Sequence, residues 1–286
     1  MPEINNKNVF NKVKQLICST LLIISVIPGF NLIGNLFLQV VVTLLCVLVV
    51  NLISDKLIKA DPEIISGSLE LMLIFWIIAA LCKQIYIHIL TKDYSFRWLH
   101  LFYFDKPALI FIVFFISTLY YIFKLIKNKN NPKFIQSYKT FIRRTSLMFV
   151  IYYLIILTYS FFLVREITLV RPEYNLKPFE MIIFTFSRGY IDYELIFLFL
   201  GNVAIFLPLG VFASAFLKNK FILIILPIII SFTIEVSQYF LGNGHPDVDD
   251  FILNVLGFYL GIGIKKLLDL LVNKLTKGQL SSFFIF

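Results

Sequence analysis

Long apolar stretches, separated by short polar or charged breaks, fill most of the chain. Eight of them are candidate membrane-crossing helices, at about residues 15–30, 32–53, 69–90, 106–126, 146–165, 194–217, 220–241 and 250–272. Crossing a hydrocarbon core takes roughly 20 residues of helix, and none of the stretches alternates as the strands of a barrel do. The pattern predicts an all-α fold, a polytopic transmembrane helical bundle. The first stretch is short; if it merely lay in the interface, the number of spans would fall to seven.

Composition strengthens this reading. Of the 286 residues, 59% are hydrophobic and 15% charged, against about 25% charged in soluble domains. The formal charge of +9 would suggest nucleic acid in a soluble protein, but here the basic residues flank apolar stretches and report orientation in the bilayer. No nucleic-acid partner is expected. With eight spans and both termini cytoplasmic, more than two thirds of the 26 Lys and Arg fall on the inner side, among them the run from Lys124 to Arg144. The expected location is the cell membrane, multi-pass. Lys7, Lys12 and Lys14 precede the first apolar stretch as in a signal peptide, yet Pro28-Gly29-Phe30 offers no small-x-small cleavage site, so the span is expected to be retained.

One shift in composition divides the chain. Residues 127–145, basic and broken by Pro132, read as a cytoplasmic linker between a four-span region at 1–126 and a second four-span domain at 146–286. The first half is rich in aromatic residues and nearly free of motifs. Its Lys83 and His88, inside the third span, are expected to snorkel or to rest against a polar neighbour. Cys18, Cys46 and Cys82 all fall in apolar stretches with no metal-ligand spacing and read as small core residues.

The second half concentrates polar side chains at similar depths. Asn202 lies about 12 Å into the sixth span, and Glu235 about 9 Å from the outer end of the seventh, at 1.5 Å per residue. Gln238 shares a face with Glu235, and Asp250 shares one with Asn254 at the start of the eighth span. A carboxylate at hydrocarbon depth is costly unless it faces protein or water. Asn202, Glu235, Gln238, Asp250 and Asn254 are therefore expected to converge on one outward-facing pocket, with Gly257 and Gly261 letting the eighth span pack closely on a neighbour. The run Asp247, Asp249, Asp250 has two readings: helix capping and dipole compensation, or polar or ion binding, including an oxygen-ligand site for a hard divalent cation. The outer loop from Arg165 to Tyr193 offers Arg171, Asn175, Lys177 and Arg188, and Pro178-Phe179 would open a short amphipathic helix lying over the pocket as a lid.

The second half resembles the VanZ-like family of bacterial membrane proteins. The resemblance rests on Arg171 with Asn175-Leu176-x-Pro178-Phe179, Asn202 followed by Phe206-x-Pro208-x-Gly210, Glu235-x-x-Gln238, and Asp247-x-Asp249-Asp250 followed by Asn254 and Gly257. It spans about residues 146–272. The chain departs from the family where a basic residue commonly precedes the Asp run; Gly244 stands there, so that role passes to the adjacent His245 or to Arg171, or is missing. The family is named for an association with low-level teicoplanin resistance. The polar groups opening outward beneath the basic loop lead us to expect a cell-envelope protein whose pocket binds a membrane lipid headgroup or lipid-linked cell-wall precursor, and the resemblance adds the expectation that it lowers sensitivity to teicoplanin-type antibiotics. Glu235 and Asp250 would then be the candidate reactive groups, and Arg171, Asn175, Asn202, Gln238, His245, Asp247, Asp249 and Asn254 the candidate ligand-binding ones.

The alternative is a membrane-embedded enzyme acting on an envelope lipid, with Glu235 as general base and a metal held by the Asp run. A proton-coupled carrier ranks third, because the chain shows no inverted repeat and its polarity gathers on one side. The sequence specifies neither a cofactor nor an oligomeric state.

Overall fold

The computed structural model describes residues 2–31, 36–91, 107–158, 161, 174–180, 183, 187, 193–242 and 244–284. These residues form eight long helices: α1 (Pro2–Asn31), α2 (Leu36–Lys56), α3 (Pro62–Thr91), α4 (Pro107–Lys127), α5 (Pro132–Thr158), α6 (Tyr193–Phe216), α7 (Lys220–Leu241) and α8 (Val248–Leu275). Each expected span appears as a helix. Seven of the eight are long and apolar enough to cross a membrane. The exception is α8, whose 28 residues carry Asp249 and Asp250 at one end and Lys265, Lys266, Asp269 and Lys274 at the other. Its uncharged stretch, from Phe251 to Ile264, is shorter than a full hydrocarbon thickness.

Proline and asparagine set several helix starts. Pro62, Pro107 and Pro132 are the first residues of their helices, where the missing N–H costs nothing and the fixed φ suits the turn. Pro132 thus opens α5 rather than breaking the polar stretch around it. Asn131 caps that helix, its Oδ1 accepting from the N–H of Lys133 at 3.1 Å and of Phe134 at 3.2 Å.

The chain divides into two compact units, one comprising Met1–Ile151 with Val272–Phe286, the other Tyr152–Leu271. In the first unit, α1 packs against α2 and α3, and α2 against α4. Asp55 on α2 accepts from the Tyr120 hydroxyl at 2.9 Å and pairs with Lys124, both on α4. Arg144 pairs with Glu70 through two hydrogen bonds, its Nε donating to Oε1 at 2.8 Å. The side chains of Lys83 and His88 lie outside the described residues.

In the second unit, α6 and α8 meet through glycine. A Cβ on Gly257 would stand 2.2 Å from the carbonyl oxygen of Val203, one on Gly261 2.1 Å from that of Leu207, and one on Gly210 1.9 Å from that of Phe258. Backbone lies against backbone here, as the Gly257–Gly261 spacing leads one to expect. Phe161, Phe206, Leu209, Ile234 and Phe258 form the buried apolar core around this contact. The second unit positions the candidate site.

Candidate functional site

The α7–α8 connection is built by the sequence that joins them. Gly242 ends α7 in the left-handed region at φ 62°, donating to the carbonyls of Gln238 and Tyr239, a conformation that glycine adopts at no steric cost. His245, exposed, lies on the connecting loop. Asp247 then caps α8: its Oδ1 accepts from the N–H of Asp249 at 2.8 Å, and its carbonyl from that of Phe251 at 3.1 Å. Capping therefore accounts for Asp247, but that is not all this residue does.

Glu235 reaches across from α7 and accepts the backbone N–H of Asp247 through Oε2 at 3.0 Å. The segment around Asn175 zips onto the same loop. Asn175 N–H donates to Pro246 O at 2.9 Å, Val248 N–H donates to Asn175 O at 3.0 Å, and Asn175 and Asp247 form an isolated parallel bridge. The Asn175 amide also donates to both carboxylate oxygens of Asp247 at 3.3 Å, while its Oδ1 accepts from Lys177 N–H at 3.0 Å. Glu235, Asp247 and Asn175 are one hydrogen-bonded cluster.

The other two acids are directed elsewhere. Asp249, only 1% exposed, accepts the N–H of Phe179, a residue in the left-handed region at φ 64°. A non-glycine residue held there costs of the order of 1–3 kcal/mol, and the bond from a buried carboxylate offsets that cost. Asp250 accepts from the amide of Asn202 on α6. Asn254, one turn further along α8, donates to Ser231 Oγ on α7 at 3.2 Å, and Ser231 donates onward to Phe251 O at 3.4 Å. Three neighbouring carboxylates thus tie α8 to three different partners. Among the described residues no three His, Cys, Asp or Glu side chains are grouped to hold a metal ion.

Beside the Glu235 cluster lies a cleft of about 470 Å³, lined by Tyr174, Leu176, Phe232, Val236, Tyr239, Phe240, Pro246, Val248 and Phe251 together with Asn175, Glu235 and Asp247, and the surface it presents is almost wholly apolar. Its volume falls in the range typical of small-molecule sites. Asn202, Asp250, Gln238 and Asn254 do not line this cleft; Gln238 and Asn254 are buried, and Asn202 and Asp250 are paired with each other. The polar residues of α6, α7 and α8 are therefore distributed over a pocket wall, a helix pair and a buried hydrogen-bonded chain.

Residues 145–269 match the VanZ/LLP1 family. Over this stretch the chain is VanZ-like. No curated protein and no solved structure matches the chain. Every described element of the candidate site, from Tyr174 to Asn254, falls inside the VanZ match. Arg171 and Arg188, expected to contribute cations, lie outside the described residues, as does most of the expected lid beyond Glu180. Within the stretch expected to form the lid, Ile183 N–H donates to Phe179 O at 2.8 Å, both side chains are exposed, and Lys177 pairs with Glu180 at 3.1 Å.

Sequence reasoning missed two kinds of residue in the VanZ-like stretch. Ser231 stands four residues before Glu235 and seven before Gln238, so the helical period alone places all three on one face of α7. Tyr174, Phe232, Phe240 and Phe251 belong to the apolar wall, and no local pattern separates them from aromatic residues that face lipid; Tyr239, at i+4 from Glu235, is the wall residue the helical period does place there.

Proposed function

We propose that this VanZ-type membrane protein binds a lipid or a lipid-linked cell-wall precursor in the cleft beside Glu235, and through that binding lowers the sensitivity of the cell to teicoplanin-type antibiotics. The observation that carries this reading is the cleft's almost wholly apolar surface beside the Glu235 cluster. Aromatic and aliphatic side chains supply a wall suited to an acyl or isoprenoid chain, and the hydrogen-bonded cluster of Asn175, Glu235 and Asp247 stands against it. A freely soluble ligand would gain little from so much apolar surface, whereas a lipid chain gains roughly 0.8 kcal/mol for each buried methylene. The distribution of basic residues supports an opening toward the outer leaflet.

The test compares a deletion strain with strains carrying wild type or Glu235→Gln, each at matched membrane abundance. Gln keeps an acceptor for Asp247 N–H and loses only the charge. Teicoplanin sensitivity equal to that of the deletion is expected for Glu235→Gln; wild-type sensitivity would remove Glu235 and its cleft from the function.

A further inference from the structure

The first unit holds a cavity of about 410 Å³, walled by α1, by the start of α3 and by Arg144 of α5. Its volume is that of a small-molecule site. On α1 the lining residues Asn8, Asn11, Lys12 and Gln15 stand at i, i+3, i+4 and i+7, one stripe of the helix. Gln15 lies against α3, where a Cβ on Gly67 would come within 2.5 Å of its Nε2, and its carbonyl accepts from Ser68 Oγ at 3.0 Å. The backbone at the start of α3 is fixed as well. Asp61 O accepts from the N–H of Ile64 at 3.0 Å, and Glu63 N–H donates to Ser137 Oγ on α5 at 3.1 Å.

Charges of both signs border this space without neutralising one another. Elsewhere in the unit opposite charges on neighbouring helices pair, Lys124 with Asp55 and Arg144 with Glu70. Lys12, Asp61 and Glu63 line a single cavity, yet none of their side chains makes an ion pair or hydrogen bond among the described residues. Arg144 gives Glu70 its Nε and Nη2 and keeps the two donors of Nη1. The dipole of α3 favours acids at its start, which accounts for Asp61 and Glu63 but not for the two cations that share their cavity. Alongside the polar stripe of α1 runs an apolar one: Val9, Val13 and Leu16, all exposed, each follow a lining residue by one position and so lie about 100° round the helix.

We propose that this cavity binds a zwitterionic group carrying a primary ammonium and a phosphate, as the headgroup of an ethanolamine phospholipid does. The phosphate takes Lys12 and Nη1 of Arg144, and the ammonium takes Asp61 and Glu63. A purely anionic group would meet two carboxylates and a bare cation would meet two basic side chains, so the lining favours a ligand with both charges. The exposed stripe of Val9, Val13 and Leu16 favours a lipid over a free headgroup, since it offers an acyl chain a surface beside the polar site. The cavity lies outside the VanZ-like stretch, and the proposal does not rest on the function proposed there.

The experiment is native mass spectrometry of the full chain in detergent, offered equal amounts of phosphatidylethanolamine and phosphatidylglycerol and, separately, O-phosphoethanolamine. Wild type should retain phosphatidylethanolamine at least severalfold over phosphatidylglycerol. The double substitution Asp61→Asn, Glu63→Gln leaves both cations in place and should abolish or invert that preference, whereas Lys12→Gln should lower retention of both lipids. O-phosphoethanolamine bound by wild type and lost from the double variant, with no preference between the lipids, would assign the same chemistry to a soluble ligand. Equal retention of the two lipids with no binding of O-phosphoethanolamine would overturn the proposal, as would a preference unchanged in the double variant. Lys12, Asp61 and Glu63 are exposed, so the variants are expected to fold; should the double variant fail to accumulate, the wild-type comparison decides.

Discussion

Asp247 serves two purposes that a pair of substitutions can separate. Its carboxylate caps α8 through Asp249 N–H and also receives the Asn175 amide. Asp247→Ala removes both, and the lost cap alone should destabilise by about 1 kcal/mol. Asp247→Asn keeps a capping oxygen while losing the charge beside Glu235. If Asp247 only caps, Asn restores both stability and resistance; if it also meets a ligand, thermal unfolding stays near wild type while resistance falls. The proposal predicts the second result. At this scale the sequence was informative about which residues matter and less so about their partners. Glu235 and the Asp run stand out because carboxylates are costly beside apolar stretches. That Asp249 would bond Phe179, and Asp250 Asn202, depends on contacts between segments 48 and 70 residues apart, which no local period encodes.

Among the elements, α8 is set by its glycines more than by its hydropathy. Gly257→Ala would drive a Cβ to 2.2 Å from the Val203 carbonyl, forcing α6 and α8 apart and stretching the Asn202–Asp250 hydrogen bond. A cost of about 1–3 kcal/mol is expected, as for other over-packed sites. Gly263, with nothing within 4 Å of its Cβ position, is the contrast: Gly263→Ala should stabilise the helix by up to about 1 kcal/mol through propensity alone. Thermal unfolding of both variants in the same detergent checks the pair, and equal behaviour would remove the close α6–α8 contact from the account. The small-xxx-small spacing made this contact legible beforehand. The weakness of α8 as a span is written in Lys265, Lys266 and Asp269, yet the sequence reading places the doubtful span at the first apolar stretch, which the structure gives as a helix long enough to cross. Pro132, by contrast, is ambiguous in sequence, since proline that breaks a polar stretch equally suits the first turn of a helix.

For the whole molecule, helical membrane architecture follows from the length of the apolar stretches, which is why every expected span appears as a helix. The cleft does not follow in that way, because its wall is assembled from aromatic residues of α7, α8 and the segment at 174–176. Orientation can be checked independently of ligand binding. With both termini cytoplasmic, a cysteine replacing His245 should react in intact cells with a membrane-impermeant thiol reagent, whereas one replacing Lys129 should react only after lysis; the reverse pattern would turn the cleft toward the cytoplasm. The most direct measurement of the central claim is mass spectrometry of lipids that stay with the protein purified from its native membrane, wild type beside Glu235→Gln. The account predicts one lipid or lipid-linked precursor enriched with the wild type and lost, at least tenfold, from the folded variant. The same bulk lipid profile on both proteins would contradict it.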